Sequence, residues 1–214
     1  MIQDNIKKIL EEIQSYDTKL ICVSKTRTCD EIMEAYHMGI RDFGENMVQE
    51  LVSKRSILPK DIRWHMIGHL QTNKVKELLE EDTYLIHSVD SIKLAKEINK
   101  RSKHRQDVLL EVNIAKEESK YGFLPNVDDL KETLKEISSL PNVHVVGLMC
   151  VAPNTEHPEE NVKYFELLKS IAKQLNLSIL SMGMTNDYIY ACQCGASYIR
   201  VGTAIFGKRD YSVK

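Results

Sequence analysis

Short apolar runs alternate with stretches of helical periodicity along the whole chain. The runs are residues 19–24, 41–43, 63–67, 84–88, 108–112, 144–149, 179–182 and 198–201. Between them, apolar residues at helical spacing predict helices over 30–37, 46–57, 73–81, 91–102, 127–138, 159–175 and 187–194. The opening stretch MIQDNIKKILEEIQSY predicts one more helix ahead of the first strand. The strand runs are β-branched or aliphatic and largely apolar rather than alternating, as in parallel strands covered by helices. Strands alternating with helices suggest either a doubly wound sheet or a closed barrel. Eight of them favour an α/β fold of the (β/α)8 TIM-barrel type with an extra N-terminal helix. Nothing resembles a linker, so residues 1–214 are expected to form a single domain.

Composition narrows the function classes. The 214 residues lie near the minimum for such a barrel, about 200–250 residues. Lys+Arg 29 against Asp+Glu 31 gives a net charge of −2, so neither nucleic acid nor an anionic membrane is an expected partner. The N-terminal stretch lacks the apolar core of a signal peptide, and no run reaches the roughly 20 residues that span a bilayer. Five cysteines without a C-x-x-C spacing signal neither a disulfide framework nor a zinc site. A reducing cytoplasm is the expected location.

In a (β/α)8 barrel, chemistry sits on the loops after the strands, and phosphate is often held after the seventh and eighth. After the first strand comes Lys25. At the barrel mouth it would be partly desolvated, which frees its amine to attack an aldehyde; a plain surface lysine fits the same pattern. After the second come Glu45 and Asn46, with Asn46 either facing the mouth or capping the next helix. After the third, His65 and His69 have an H-x-x-x-H spacing, but on a strand and a glycine turn rather than one helical face, so no metal is expected. The charged 115–123 loop is either solvated or a flap. After the seventh comes Ser181-Met182-Gly183-Met184-Thr185, and after the eighth Arg200-Val201-Gly202-Thr203. Each pairs glycine with a hydroxyl residue just before a helix, where backbone N–H groups bind phosphate. In a closed barrel both loops adjoin the first strand. Lysine for an aldehyde and a cradle for a phosphate are the contacts that pyridoxal 5'-phosphate (PLP) requires. Arg200 either faces the pyridine nitrogen and keeps it unprotonated, or forms an interior ion pair with Glu45 or Glu111.

These residues resemble a known family, the PLP homeostasis proteins, whose barrel is similar to the N-terminal domain of alanine racemase. The resemblance rests on VSKT (23–26), FGEN (43–46), WHMIGHLQTNK (64–74), HSVDS (87–91), VNIAKEESKYGF (112–123), GLM (147–149), SMGM (181–184) and RVGTAIFG (200–207). It implies that Lys25 carries PLP as a Schiff base, and that Ser181, the Met184-Thr185 backbone and Gly202-Thr203 hold the phosphate. It also implies that Arg200 faces the pyridine nitrogen and that Asn46 lies near the ring. Such proteins commonly have serine where this chain has Thr185; the hydroxyl is kept, so phosphate binding is expected to persist.

Three functions are compatible with this reading. One is a PLP carrier that buffers or delivers the cofactor, with PLP-dependent apoenzymes as recipients and no substantial catalysis. Another is a PLP enzyme of the racemase type, and the last an aldolase-like barrel. Alanine-racemase-like enzymes add a β domain and a tyrosine donated across a dimer. The chain ends soon after the barrel closes, which favours the carrier. A monomer is expected, although the sequence does not fix the oligomeric state.

Overall fold

The computed structural model describes residues 1–208; the tail of the expected domain, 209–214, lies outside them. The chain runs α1 (Ile2–Ile13), β1 (Lys19–Val23), α2 (Cys29–His37), β2 (Asp42–Glu45), α3 (Val48–Ile57), β3 (Arg63–Met66), α4 (Val75–Leu78), β4 (Leu85–Val89) and α5 (Ile92–Arg101). It continues through β5 (Gln106–Glu111), α6 (Val127–Ser138), β6 (Val143–Met149), α7 (Val162–Gln174), β7 (Ile179–Ser181), α8 (Tyr188–Gln193), β8 (Tyr198–Val201) and α9 (Thr203–Phe206). The eight strands pair in parallel, each with its sequence neighbour, and β1 pairs with β8 to close the barrel. The barrel expected from the strand count is therefore present.

Strand side chains divide between two cores, because successive residues point to opposite faces. Leu20 and Cys22, Phe43, Trp64 and Met66, Val108 and Leu110, and Ile199 and Val201 pack outward against the helices. Ile21, Leu85, Leu109, Met149 and Tyr198 fill the lumen. Alternate positions on the same strands place Asp42, His65, His87, Ser181 and Arg200 there as well, all buried. This lumen is more polar than the branched apolar filling usual for such barrels.

The N-terminal helix has a structural role. α9 is four residues long, too short to cover the seam between β8 and β1. α1 covers it, burying Ile6, Ile9 and Ile13 and packing against α2, α8 and α9. Asn5 Nδ2 donates to the Ile205 carbonyl at 2.9 Å across this contact.

Some helix boundaries differ from the periodicity. The helix expected over 73–81 is a 3-10 turn, Thr72–Lys74, followed by the short α4. The Arg55 guanidinium takes the carbonyls of Leu78, Glu81 and Asp82, which holds the segment after α4 in a non-helical path. The helix expected from residue 46 starts at Val48. Met47 occupies the cap position in extended backbone, with no side-chain cap bond, so Asn46 is not a helix cap. No helix among the described residues is long and apolar enough to cross a membrane.

Candidate functional site

A cavity of about 680 Å³ opens at the C-terminal ends of the strands. That is ample for a cofactor-sized ligand, for which sites run about 300–1,000 Å³. Lys25, Asn46, Met184, Thr185, Arg200, Gly202 and Thr203 all line it, together with Arg27, Pro153, Asn161 and Asp187. Residues from the first, second, seventh and eighth strand loops thus converge as the barrel closure predicts. Ser181 lines no part of the cavity and is fully buried.

Lys25 sits two residues beyond the end of β1, in a turn held on both sides. The Lys54 ammonium, from α3, donates to the Ser24 carbonyl at 2.6 Å, to Glu45 Oε1 at 2.8 Å and to Glu50 Oε1 at 2.6 Å. Glu50 in turn accepts the Thr26 amide, and Ser24 Oγ donates to Glu45 Oε1. Thr26 has φ 64, an unfavourable region for a β-branched residue, so the surrounding bonds hold a strained turn. Burial pushes the Glu45 carboxyl up to about 7, against the opposing pull of Lys54 and Ser24. Glu45 therefore faces α3, not the mouth.

Asn46 reaches the cavity because Gly68, after β3, lets the β2 loop lie against it. A Cβ at Gly68 would stand 2.2 Å from the Asn46 carbonyl oxygen. Gly183 does comparable work after β7. Its φ of 89 turns the chain back, and a Cβ there would strike Ala191 at 2.5 Å.

The two glycine loops differ from expectation in detail. The Met184 amide donates to Asp187 Oδ1 at 2.7 Å, while Asp187 Oδ2 accepts from Asn161 Nδ2 at 2.8 Å. This clamp fixes the β7 loop and occupies one amide expected to face phosphate. Thr185 and Gly202-Thr203 still border the cavity, with α9 starting at Thr203. The first amides of a helix have no acceptor within it.

Arg200 is 4% exposed, with Nη1 donating to Ser181 Oγ at 2.6 Å and Nη2 to the Cys150 carbonyl at 2.8 Å. It makes no ion pair with Glu45 or Glu111; Glu45 is taken by Lys54. Burial lowers the Arg200 pKa, yet guanidinium remains a cation. The spaced histidines do not meet. His65 bonds Asp42 and His87 inside the lumen. His69 pairs with Asp90 at 3.1 Å and stacks on Tyr121 at 3.7 Å. That stacking ties down the 115–123 loop, which Asn113 also holds through Glu117 and Lys120.

The ionisable lining is Lys25, Arg27 and Arg200 against Asp187; Arg27 pairs with Glu31 at 3.3 Å, and both Asp187 oxygens are committed to the clamp. An amine beside a positively biased cavity with hydroxyl-bearing glycine loops fits a phosphorylated aldehyde such as PLP. The sequence reading missed Gly68, Lys54 and Asp187. The first had a signal in its glycine, whereas Lys54 and Asp187 act through Ser24 and Asn161, partners on other segments that no local pattern records.

The model of the family "Alanine racemase, N-terminal domain" matches residues 1–210. A pyridoxal phosphate homeostasis protein of Aquifex aeolicus (strain VF5) is 41% identical over 227 residues, covering 97% of this chain and 98% of that protein. The structure of PipY from Synechococcus elongatus PCC7942 without PLP superimposes with a TM-score of 0.88 at 34% identity, over 97% of this chain and 100% of that one. The structure of PipY with PLP bound gives a TM-score of 0.82 over the same shares. With a family model matching nearly the whole chain and a relative of this identity along its full length, the chain belongs to the pyridoxal phosphate homeostasis proteins of the alanine racemase N-terminal domain family.

Proposed function

We propose that this protein binds PLP through Lys25 and serves as a reserve from which PLP-dependent apoenzymes are supplied, with no substantial turnover of its own. The observation that carries the reading is the convergence of Lys25, Asn46, Arg200 and both glycine loops on one cavity. When bound, PLP supplies an aldehyde that an amine can capture. The chain's own residues do the rest. The Lys54–Glu50 clamp presents Lys25, Gly202-Thr203 and Thr185 meet the phosphate, and Arg200 sets a fixed positive charge at the ring end. The relative named for pyridoxal phosphate homeostasis and PipY with PLP bound support the same reading.

The non-catalytic part rests on what faces Lys25. Among the described residues lining the cavity there is no tyrosine, histidine or cysteine. Proton transfer at a substrate carbon needs a second acid or base opposite the lysine. The five cysteines are unpaired, which suits action in a reducing cytoplasm, and a monomer accounts for a site built from one chain.

Borohydride reduction of the PLP-loaded protein followed by peptide mapping places the pyridoxyl group on Lys25. Label found chiefly on Lys74 or Lys120 overturns the site. Incubation with each L- and D-amino acid in deuterated water leaves the Cα proton in place. Exchange at about 1 s⁻¹ or faster, the low end of enzyme rates, makes the protein an enzyme instead.

A further inference from the structure

Five buried or nearly buried side chains cross the lumen in one unbroken line. Arg200 Nη1 meets Ser181 Oγ at 2.6 Å, and Ser181 Oγ meets His87 Nδ1 at 2.8 Å. His87 Nε2 meets His65 Nδ1 at 2.9 Å, and His65 Nε2 meets Asp42 Oδ1 at 2.9 Å. Asp42 is anchored from outside by Arg63, through contacts of 2.8 and 2.5 Å. The line begins at the cavity, where Arg200 is part of the lining, and ends at the N-terminal end of the barrel, where β2 and β3 begin.

The two ends dictate every proton between them. Arg200 can only donate. Although burial alone would raise it, hydrogen bonds from Arg63 and His65 hold the Asp42 carboxyl well below the usual range, so Asp42 only accepts. His65 therefore carries its proton on Nε2, facing Asp42, and offers a lone pair at Nδ1. His87 must fill that lone pair with a proton on Nε2, leaving its own Nδ1 as acceptor. Ser181 then donates to His87 and accepts from Arg200. Every polar atom along the line then has a partner of the right kind, with both imidazoles neutral. Burial also lowers the pKa of both histidines, His87 strongly, with His65 and Arg200 adding to the effect there. A second proton on either ring would reverse the donors up to Ser181. Its hydroxyl would then face two donors and need a new acceptor in a dry interior.

We propose that Asp42, His65, His87 and Ser181 form a one-directional hydrogen-bond chain that positions Arg200, so that Ser181 and His87 are positioning residues for the ring end of the cofactor and not phosphate ligands. This rests on the PLP reading for what Arg200 meets, but the chain is a property of the protein alone. Donation to His87 polarises Ser181 Oγ and strengthens it as the acceptor for Arg200. With the Cys150 carbonyl on Nη2, both ends of the guanidinium are fixed and its plane is set.

The first test uses the wild-type protein without ligand. Histidine ¹⁵N chemical shifts and couplings at pH 7.5 show His65 and His87 neutral, each protonated on Nε2. A proton on His87 Nδ1, or a charged ring, overturns the chain. The second compares His87→Leu with His87→Asn, whose side-chain carbonyl can still accept from Ser181. His87→Leu weakens PLP binding about tenfold and shifts the visible absorption maximum of the loaded protein; His87→Asn recovers most of both. Wild-type affinity and spectrum in a folded His87→Leu protein overturn the positioning role. If the wild-type protein takes up no PLP, the proposed function fails, while the tautomer measurement still decides the chain.

Discussion

At Thr203 a single hydroxyl borders the cavity beside Gly202, at the first position of α9. Its expected partner is a phosphate oxygen, and hydrogen bonds to charged groups contribute about 1.5–3 kcal/mol each. Part of that is recovered by water at an open mouth. Thr203→Ala is therefore expected to weaken PLP binding by about 1–2 kcal/mol, roughly 5- to 30-fold, with little change in stability. Fluorescence titration of the two proteins with PLP checks it, and equal affinities would move the anion site elsewhere. Ser181, the other hydroxyl implied by family resemblance, does not provide the same test. Its oxygen lies beneath the cavity between Arg200 and His87.

Lys54 shows how an element rather than a residue presents the reactive amine. It projects from α3, is 7% exposed, and joins the β1 turn, the end of β2 and its own helix through three acceptors. Removing one partner of a buried charge cluster costs about 3–5 kcal/mol, because the remaining charges lose compensation. Lys54→Met is expected to cost about 3 kcal/mol at pH 8 and distinctly less at pH 6, where Glu45 can take up a proton. Urea denaturation at the two pH values measures the difference. The same variant should weaken PLP binding, since nothing else on α3 holds the Ser24 carbonyl. An equal loss at both pH values would show that Glu45 stays ionised throughout.

Across the whole molecule, buried acids and buried histidines oppose each other in their pH dependence. Burial raises Glu45 to about 7, and burial with Asp90 nearby raises Glu111 to about 7. Above the unfolded carboxyl pKa near 4.5, the unfolded chain releases these protons first, so their contribution to stability declines until about pH 7. His65 and His87 are lowered, so below about 6.5 the unfolded chain binds the extra protons and stability falls as pH drops. Between about pH 4.5 and 6.5 the two effects offset each other. Glu45→Gln removes one of them. From pH 4.5 to 7.5 its stability relative to wild type should rise by on the order of 2–3 kcal/mol. Thermal or urea unfolding at several pH values reads this, and a constant difference would show that Glu45 titrates normally.

What the sequence determined by itself was whatever depends on periodicity and chain order. Largely apolar runs such as 19–24 and 198–201 pointed to strands buried on both faces, and eight such runs with helices between them leave closure as the economical solution. Closure alone places the loops after β1, β7 and β8 side by side, which is why Lys25, Thr185 and Thr203 were legible as one site. Tertiary structure decided what depends on packing between distant segments. Asn46 reads either as a helix cap or as facing the mouth, and Gly68, just after β3, admits its backbone and frees it for the cavity. Ser181 reads as a phosphate ligand, yet strand alternation turns it into the lumen toward His87, 94 residues away in sequence. His65 was paired in sequence with His69, yet its partner in the lumen is His87, because no local pattern records a contact with another strand. The tautomers of His65 and His87 follow from charges at the two ends of the lumen, Asp42 and Arg200, which meet only after the barrel has closed.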